Sequence, residues 1–287
     1  MPPVPPPLCP ACESSAAIKN GHRYTKRGVA QRWLCSDCRN SWTTQGLSHT
    51  HLITEMGGRD RSPEINRQIW ELAMSGVTMR RIAVLVGCTR RTVARKLHYL
   101  SVRAWAYHVD HGPRTGWAMM DELETFVGAR WRQITVAVVI RVKTRELLAI
   151  AVGPVSSTMA RGKAEGWTKD TRVATVRAAL ANAAVLIKPG ATVTTDGATF
   201  YPKAVAEMVP GAVHRVAHSP VGAGKQVDPL FPINHRFAAM RQDLPRLFRS
   251  TWSTTKNLPG LRMHLMLYLA WVNRYPIADD PTSAVRT

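Results

Sequence analysis

Read for the spacing of apolar and polar positions, the chain from Trp117 onward alternates between strand-like and helix-like stretches. "WAMMDELETFV" is the first strand candidate, followed by "ITVAVVIRV" and "LLAIAVGPV". "ITVAVVIRV" is so uniformly apolar that burial on both faces is expected. A loop around "SSTMARGKAEGW" leads into a helical "TRVATVRAALANAAVLI", then a strand "ATVTTDG", a helix near Tyr201–Met208 and a strand "AVHRVAHS". A glycine-rich loop, "PVGAGKQVDPLFP", precedes a last helix, "INHRFAAMRQ", which Pro245 should kink or end. The order three strands, helix, strand, helix, strand, helix predicts an α/β (α+β) architecture, a mixed sheet with flanking helices. No internal repeat is visible.

The block from Ser62 to about Arg103 is helical, with Gly76 and Gly87 as punctuation. In "TMRRIAVLVGCTRRTVARKL" a helix from about Met79 turns Ile82, Ala83 and Val86 inward. Gly87 makes the turn, Thr89 caps the next helix through its hydroxyl, and Val93 and Leu97 return to the same core. This is helix-turn-helix spacing. The second helix then exposes Arg90, Arg91, Thr92, Arg95 and Lys96, and no acidic residue occurs between Glu71 and Asp110. An arginine-rich first half suits a helix read against the major groove of DNA. A helical hairpin with a solvated basic face is the alternative.

The N-terminal block carries two close cysteine pairs, Cys9-x2-Cys12 and Cys35-x2-Cys38. Each x2 spacing lets two thiolates converge from one tight turn, and four of them match the tetrahedral preference of structural zinc. Unligated core cysteines or two disulfides are the alternatives; disulfides suit a reducing compartment poorly. Trp33 and Trp42 flank the second pair and can supply apolar packing. Cys88 stands apart and reads as a small buried residue. These features divide the chain into a metal-binding block (1–50), a helix-turn-helix block (60–110) and a sheet-containing block (115–287).

Composition sharpens the function class. The 287 residues carry a formal charge of +20, spread over both halves, yet 45% are hydrophobic, which excludes a disordered polycation. Nucleic acid is the partner such a charge favours, through phosphate neutralisation; an anionic membrane surface is the alternative. The longest apolar run, around Leu265–Val272, is far too short to span a bilayer. The proline-rich start lacks a secretory layout. A cytoplasmic, nucleoid-associated protein is expected.

Two acids stand out in the sheet block. Asp121 interrupts an apolar strand and Asp196 ends another. A single aspartate at a strand end is ordinarily a turn or cap residue. If the first and fourth strands are neighbours, however, the two carboxylates meet, and such a pair can bind Mg²⁺. Glu122, next along the strand, points to the other face and stays outside the site.

"MDELETFVGARWRQ", "TTDGATFYPKAV" and "NHRFAAMRQDLPRLFRST" resemble the catalytic blocks of bacterial transposases of the insertion-sequence-one type, and "IKNGHRYTKRGVAQRWLCSDCRNSW" resembles their zinc-ribbon block. The resemblance covers most of residues 8–275, and the order of the parts is its most specific feature. It implies a zinc ribbon, a helix-turn-helix and a ribonuclease-H-like domain in which Asp, Asp and Glu hold two metal ions. Asp121 would bridge two Mg²⁺ (or Mn²⁺) ions and Asp196 would complete one shell, for strand cleavage and strand transfer at an element's end. By the same analogy, the protein works on double-stranded DNA as at least a dimer.

This chain departs from the family at the third acid, where Asn234 stands. Arg241, seven positions later, lies on the same helical stripe and matches the basic residue expected there. An amide oxygen can ligate a hard cation but brings no charge. Asp228, six residues earlier in the loop, is the next candidate; Asp243 and His235 are angularly misplaced. Three functions stay open: an active transposase, a DNA-binding regulator whose catalytic domain has decayed, and a zinc-scaffolded interaction protein.

Overall fold

The computed structural model of the chain describes residues 9, 14–25, 28–43, 62–218, 228–248 and 253–278. It divides into two compact units, Met1–Ser62 and Pro63–Thr287.

The first unit is an antiparallel sheet of three strands in the order β1-β2-β3, with β1 at Ala17–Thr25, β2 at Gly28–Cys35 and β3 at Ser41–Thr43. Trp33 on β2 pairs with Trp42 on β3. Trp42 is buried with Cys9, Ala17 and Cys35, and Trp33 packs against that cluster. The two tryptophans thus supply much of the core of a very small domain.

The second unit opens with a 3₁₀ turn at Pro63–Ile65 and helices α1 (Asn66–Met74), α2 (Met79–Leu85) and α3 (Arg90–His111). Between α2 and α3, Gly87 takes a left-handed φ of 67°, a conformation that disfavours any side chain. Thr89 is extended, and its Oγ1 accepts the Thr92 amide at 3.0 Å, so the expected cap is present. Ile82, Ala83, Val93 and Leu97 are buried, as helix-turn-helix packing requires. The helix after the turn runs on to His111, past Arg103 where the helical stretch was expected to end.

A five-stranded sheet follows, built from β4 (Thr115–Phe126), β5 (Gln133–Arg141), β6 (Leu147–Pro154), β7 (Ile187–Thr195) and β8 (Val213–Val216). The order is β6-β5-β4-β7-β8. The β4–β5 and β5–β6 pairs are antiparallel, and β4–β7 and β7–β8 are parallel. The sheet is therefore mixed, with β4 between an antiparallel and a parallel neighbour. In β5 every residue from Ile134 to Ile140 is buried, as its apolar run predicted.

The remaining helices are α4 (Ala160–Ala164), α5 (Arg172–Ala184), α6 (Tyr201–Met208), α7 (Phe231–Asp243) and α8 (Leu258–Val272). One sheet face, carrying Ala118, Met120, Ala137 and Val139, packs on α5 and α6. The other carries Met119, Leu123, Val136 and Val138. It shares a core with α7 and α8 and, continuously, with α1 to α3. The transition expected near residue 112 is thus a change of element type within one compact unit. Among the described residues no helix is long and apolar enough to cross a membrane.

Candidate functional site

Successive residues of a strand point to opposite faces. Met119 and Leu123 place Asp121 on the α7–α8 face of β4, and Met120 places Glu122 on the α5–α6 face. The parallel register pairs Trp117 with Thr192, Ala118 with Val193 and Met119 with Thr194. Continued by two residues, the same offset brings Asp196, the first residue after β7, level with Asp121. Asp196 also closes a tight turn, since its Oδ1 accepts the Ala198 amide at 3.0 Å. The strand-end aspartate thus has both a turn role and a carboxylate neighbour.

Electrostatics agree with this geometry. Burial pushes the Asp121 carboxyl up to about 7, and the charges of Asp196 and Glu122 act in the same direction. The Glu122 amide, donating to Asp121 Oδ1 at 2.7 Å, opposes them by favouring the ionised form. Such a pair is stabilised by any cation that comes between its members. Carboxylate oxygens are hard donors suited to a small divalent cation.

Glu122 belongs to the other layer, as expected. The Tyr201 hydroxyl donates to its Oε2 at 2.5 Å, and Arg172 Nη1 lies 3.6 Å from its Oε1, an ion-pair contact beyond hydrogen-bond reach. Burial raises the Glu122 carboxyl, while Tyr201 and Arg172 pull it back down.

On α7, Ile233, Phe237 and Met240 are buried and define the inward stripe. At 3.6 residues per turn, Asn234 and Arg241 lie together on one flank of that stripe. Arg236 and Asp243 leave on the opposite flank. There Arg236 donates to the Arg145 carbonyl at 2.6 and 3.0 Å, and Asp243 accepts from the Tyr268 hydroxyl at 2.7 Å. Asn234 is exposed and Arg241 half-buried. The Asn234 amide nitrogen donates to Asp228 Oδ2 at 2.9 Å, so these two alternatives for the third position are partners. Among the described residues, no third Asp, Glu, His or Cys joins Asp121 and Asp196 in a metal-spaced group.

Residue patterning missed His218. A Cβ on Gly197 would meet its ring at 2.6 Å, so the glycine after Asp196 is what lets this imidazole lie against the carboxylate-bearing turn. The only available signal was a glycine directly after a strand-end aspartate.

The cysteines form a separate centre. Cys35 ends β2, and its turn is closed by Arg39 N–H to Cys35 O at 3.0 Å and Cys35 N–H to Asn40 O at 2.9 Å. The Ser36 amide donates to Ala16 O at 2.9 Å, tying this turn to the segment that follows the first pair. The sulfurs of Cys9, Cys35 and Cys38 lie within 4.8 Å of one another and could hold a metal ion. Cys12 lies outside the described residues.

On α3, Arg90, Arg91 and Arg95 are exposed and Thr92 is half-buried beside its cap. Lys96, expected on the same face, is instead 1% exposed. The reason is helical phase: Lys96 borders the inward stripe of Val93, Leu97 and Leu100, so its ammonium is not presented with the arginines.

No protein-family model matches the chain.

Proposed function

We propose that the protein is a DNA strand-cleaving and strand-transferring enzyme, a transposase of the insertion-sequence-one type, with a zinc ribbon on Cys9, Cys12, Cys35 and Cys38 and a ribonuclease-H-like catalytic unit. The observation that carries this reading is Asp121 on β4 beside Asp196, which directly follows the parallel neighbour β7 and whose charge acts on Asp121, on the sheet face that also packs α7. The sheet order, with three antiparallel strands followed by two parallel ones, supports the fold assignment.

In this reading Mg²⁺ or Mn²⁺ bound at the carboxylates supplies the charge that activates a hydroxyl and stabilises the departing oxygen of a phosphodiester. Asp121 and Asp196 bind and orient from one sheet face. The Asn234 amide oxygen is a neutral third donor, and Arg241 faces the phosphate from the same helical flank. Arg90, Arg91 and Arg95 hold double-stranded DNA, with Thr92 beside them, and two copies of the chain bring two ends together. Zinc, closed in by four thiolates, is structural.

A second reading, a DNA-binding regulator with a decayed catalytic unit, is favoured by the amide at Asn234. Cleavage of a duplex carrying the element's end, with Mg²⁺ and with Mn²⁺, separates them. Nicking that depends on metal and is lost in Asp196→Ala supports the enzyme. Specific binding with no nicking, even in Asn234→Glu, leaves the regulator.

A further inference from the structure

We infer that Asp228 is a positioning residue for Asn234, and that the two together stand in for a single carboxylate at the third corner of the site. This rests on the metal-binding reading above.

Asp228 bonds both to the backbone at the entry to α7 and to Asn234. Its Oδ1 accepts the Leu230 amide at 2.9 Å, and its backbone carbonyl accepts the Phe231 amide, also at 2.9 Å. Both contacts lie at the entry to α7, where Leu230 offers no side-chain cap of its own. The carboxylate is thereby held against the backbone, and its Oδ2 receives the Asn234 amide nitrogen at 2.9 Å.

A carboxylate has only acceptors to offer, so the Asn234 amide must present its NH₂ group to Asp228. That fixes the amide's sense: the carbonyl oxygen is turned away from Asp228 and left as the outward donor. The hydrogen bond to a negative group also polarises the amide and strengthens the partial charge on that oxygen. The pair carries the one negative charge that a glutamate would have brought, displaced by one hydrogen bond. Groups that orient a ligand in this manner typically change metal affinity 10- to 100-fold when removed.

The test is a double-mutant cycle read by Mn²⁺ binding, with free Mn²⁺ measured by electron paramagnetic resonance on zinc-loaded full-length protein. Asp228→Ser keeps a hydroxyl for the Leu230 amide and removes the carboxylate from Asn234. In the native background Asp228→Ser should weaken Mn²⁺ binding about tenfold. In an Asn234→Glu background, whose ligand brings its own charge, the same change should leave affinity the same or raise it. Equal weakening in both backgrounds would make Asp228 a helix-entry cap alone and overturn the inference, as would no weakening in either. Asp121→Asn serves as the separate control: if it too leaves Mn²⁺ binding intact, the metal-binding reading itself fails. Far-UV spectra of Asp228→Ser and Asp228→Asn check that α7 still forms.

Discussion

Replacing Asp121 by Asn isolates the cost of burying a carboxylate, close to Asp196, within the fold. The amide keeps an acceptor for the Glu122 N–H and removes the only charge that changes. In the fold the Asp121 carboxyl titrates at about 7, against a usual 3.8. A raised acid pKa means that the folded state holds the proton more tightly than the unfolded chain. Its contribution is therefore fully present below about pH 4 and is lost as pH rises through 7. At about 1.4 kcal/mol per pH unit, the gap sets an upper bound of about 4 kcal/mol. Partial exposure should reduce it to roughly half. Urea unfolding between pH 5 and 8.5, without added divalent cation, measures it. The helical far-UV signal reports the larger unit, where all the described helices lie. Asp121→Asn should already be slightly more stable than the native protein at pH 5, by less than about 1 kcal/mol, and by about 2 kcal/mol at pH 8. Added Mn²⁺ should then stabilise the native protein at pH 8 and leave the variant unmoved. A difference that is flat with pH, or that grows toward acid, would refute the electrostatic account of the pair.

Three further outcomes follow from the same contacts. Cys35→Ser should lower zinc per chain well below one equivalent in elemental analysis and leave unfolding of the Pro63–Thr287 unit unchanged; full zinc retention would remove the cluster from consideration. Arg91→Ala should reduce the slope of log affinity for duplex DNA against log salt by about 0.9, the value for one lost phosphate contact, whereas Lys96→Met should leave the slope untouched because Lys96 is buried. Thr89→Ala, which deletes the acceptor for the Thr92 amide, should cost about 1 kcal/mol in urea unfolding, and an unchanged midpoint would show the cap to be dispensable.

What could be read from the residues was whatever depends on local periodicity. The starts of α2 and α6, the cap at Thr89, the fully apolar β5 and the end of α7 before Pro245 all follow from spacing and side-chain chemistry within a few positions. The pairing of Asp121 with Asp196 was legible only conditionally, because it depends on β4 and β7 being neighbours in register, a long-range fact. Two features escaped for different reasons. Helix α8 is apolar on nearly every side, so it shows no periodic stripe to mark it. The strands around the cysteines are largely polar, organised by the paired turns and two tryptophans more than by alternation. Lys96 was misplaced for a simpler reason. Its charge argues for the surface, whereas its position borders the buried phase marked by Val93, Leu97 and Leu100.

The length of α3 ties the parts of the larger unit together. Its first two turns carry the exposed arginines, and its last turn is anchored against the sheet through His108. The His108 Nε2 lies 2.7 Å from the Leu148 carbonyl, which can only accept, so this nitrogen bears the proton. Nδ1 must then accept from the Tyr275 hydroxyl at 2.6 Å. Burial pushes the His108 pKa down, in keeping with that neutral tautomer. Between these ends run 22 residues of uninterrupted helix, roughly 33 Å at 1.5 Å per residue. The buried side chains along it, from Val93 to Ala104, share the core of Met119 and Leu123, the residues on either side of Asp121 along its sheet face. A helix-turn-helix joined to a sheet by a loop would be free to reorient. Here the joint is a continuous helix within one core, so the distance from the exposed arginines to the carboxylate pair is fixed by packing. Under the proposed function, that distance sets how far from the bound sequence a strand is cut.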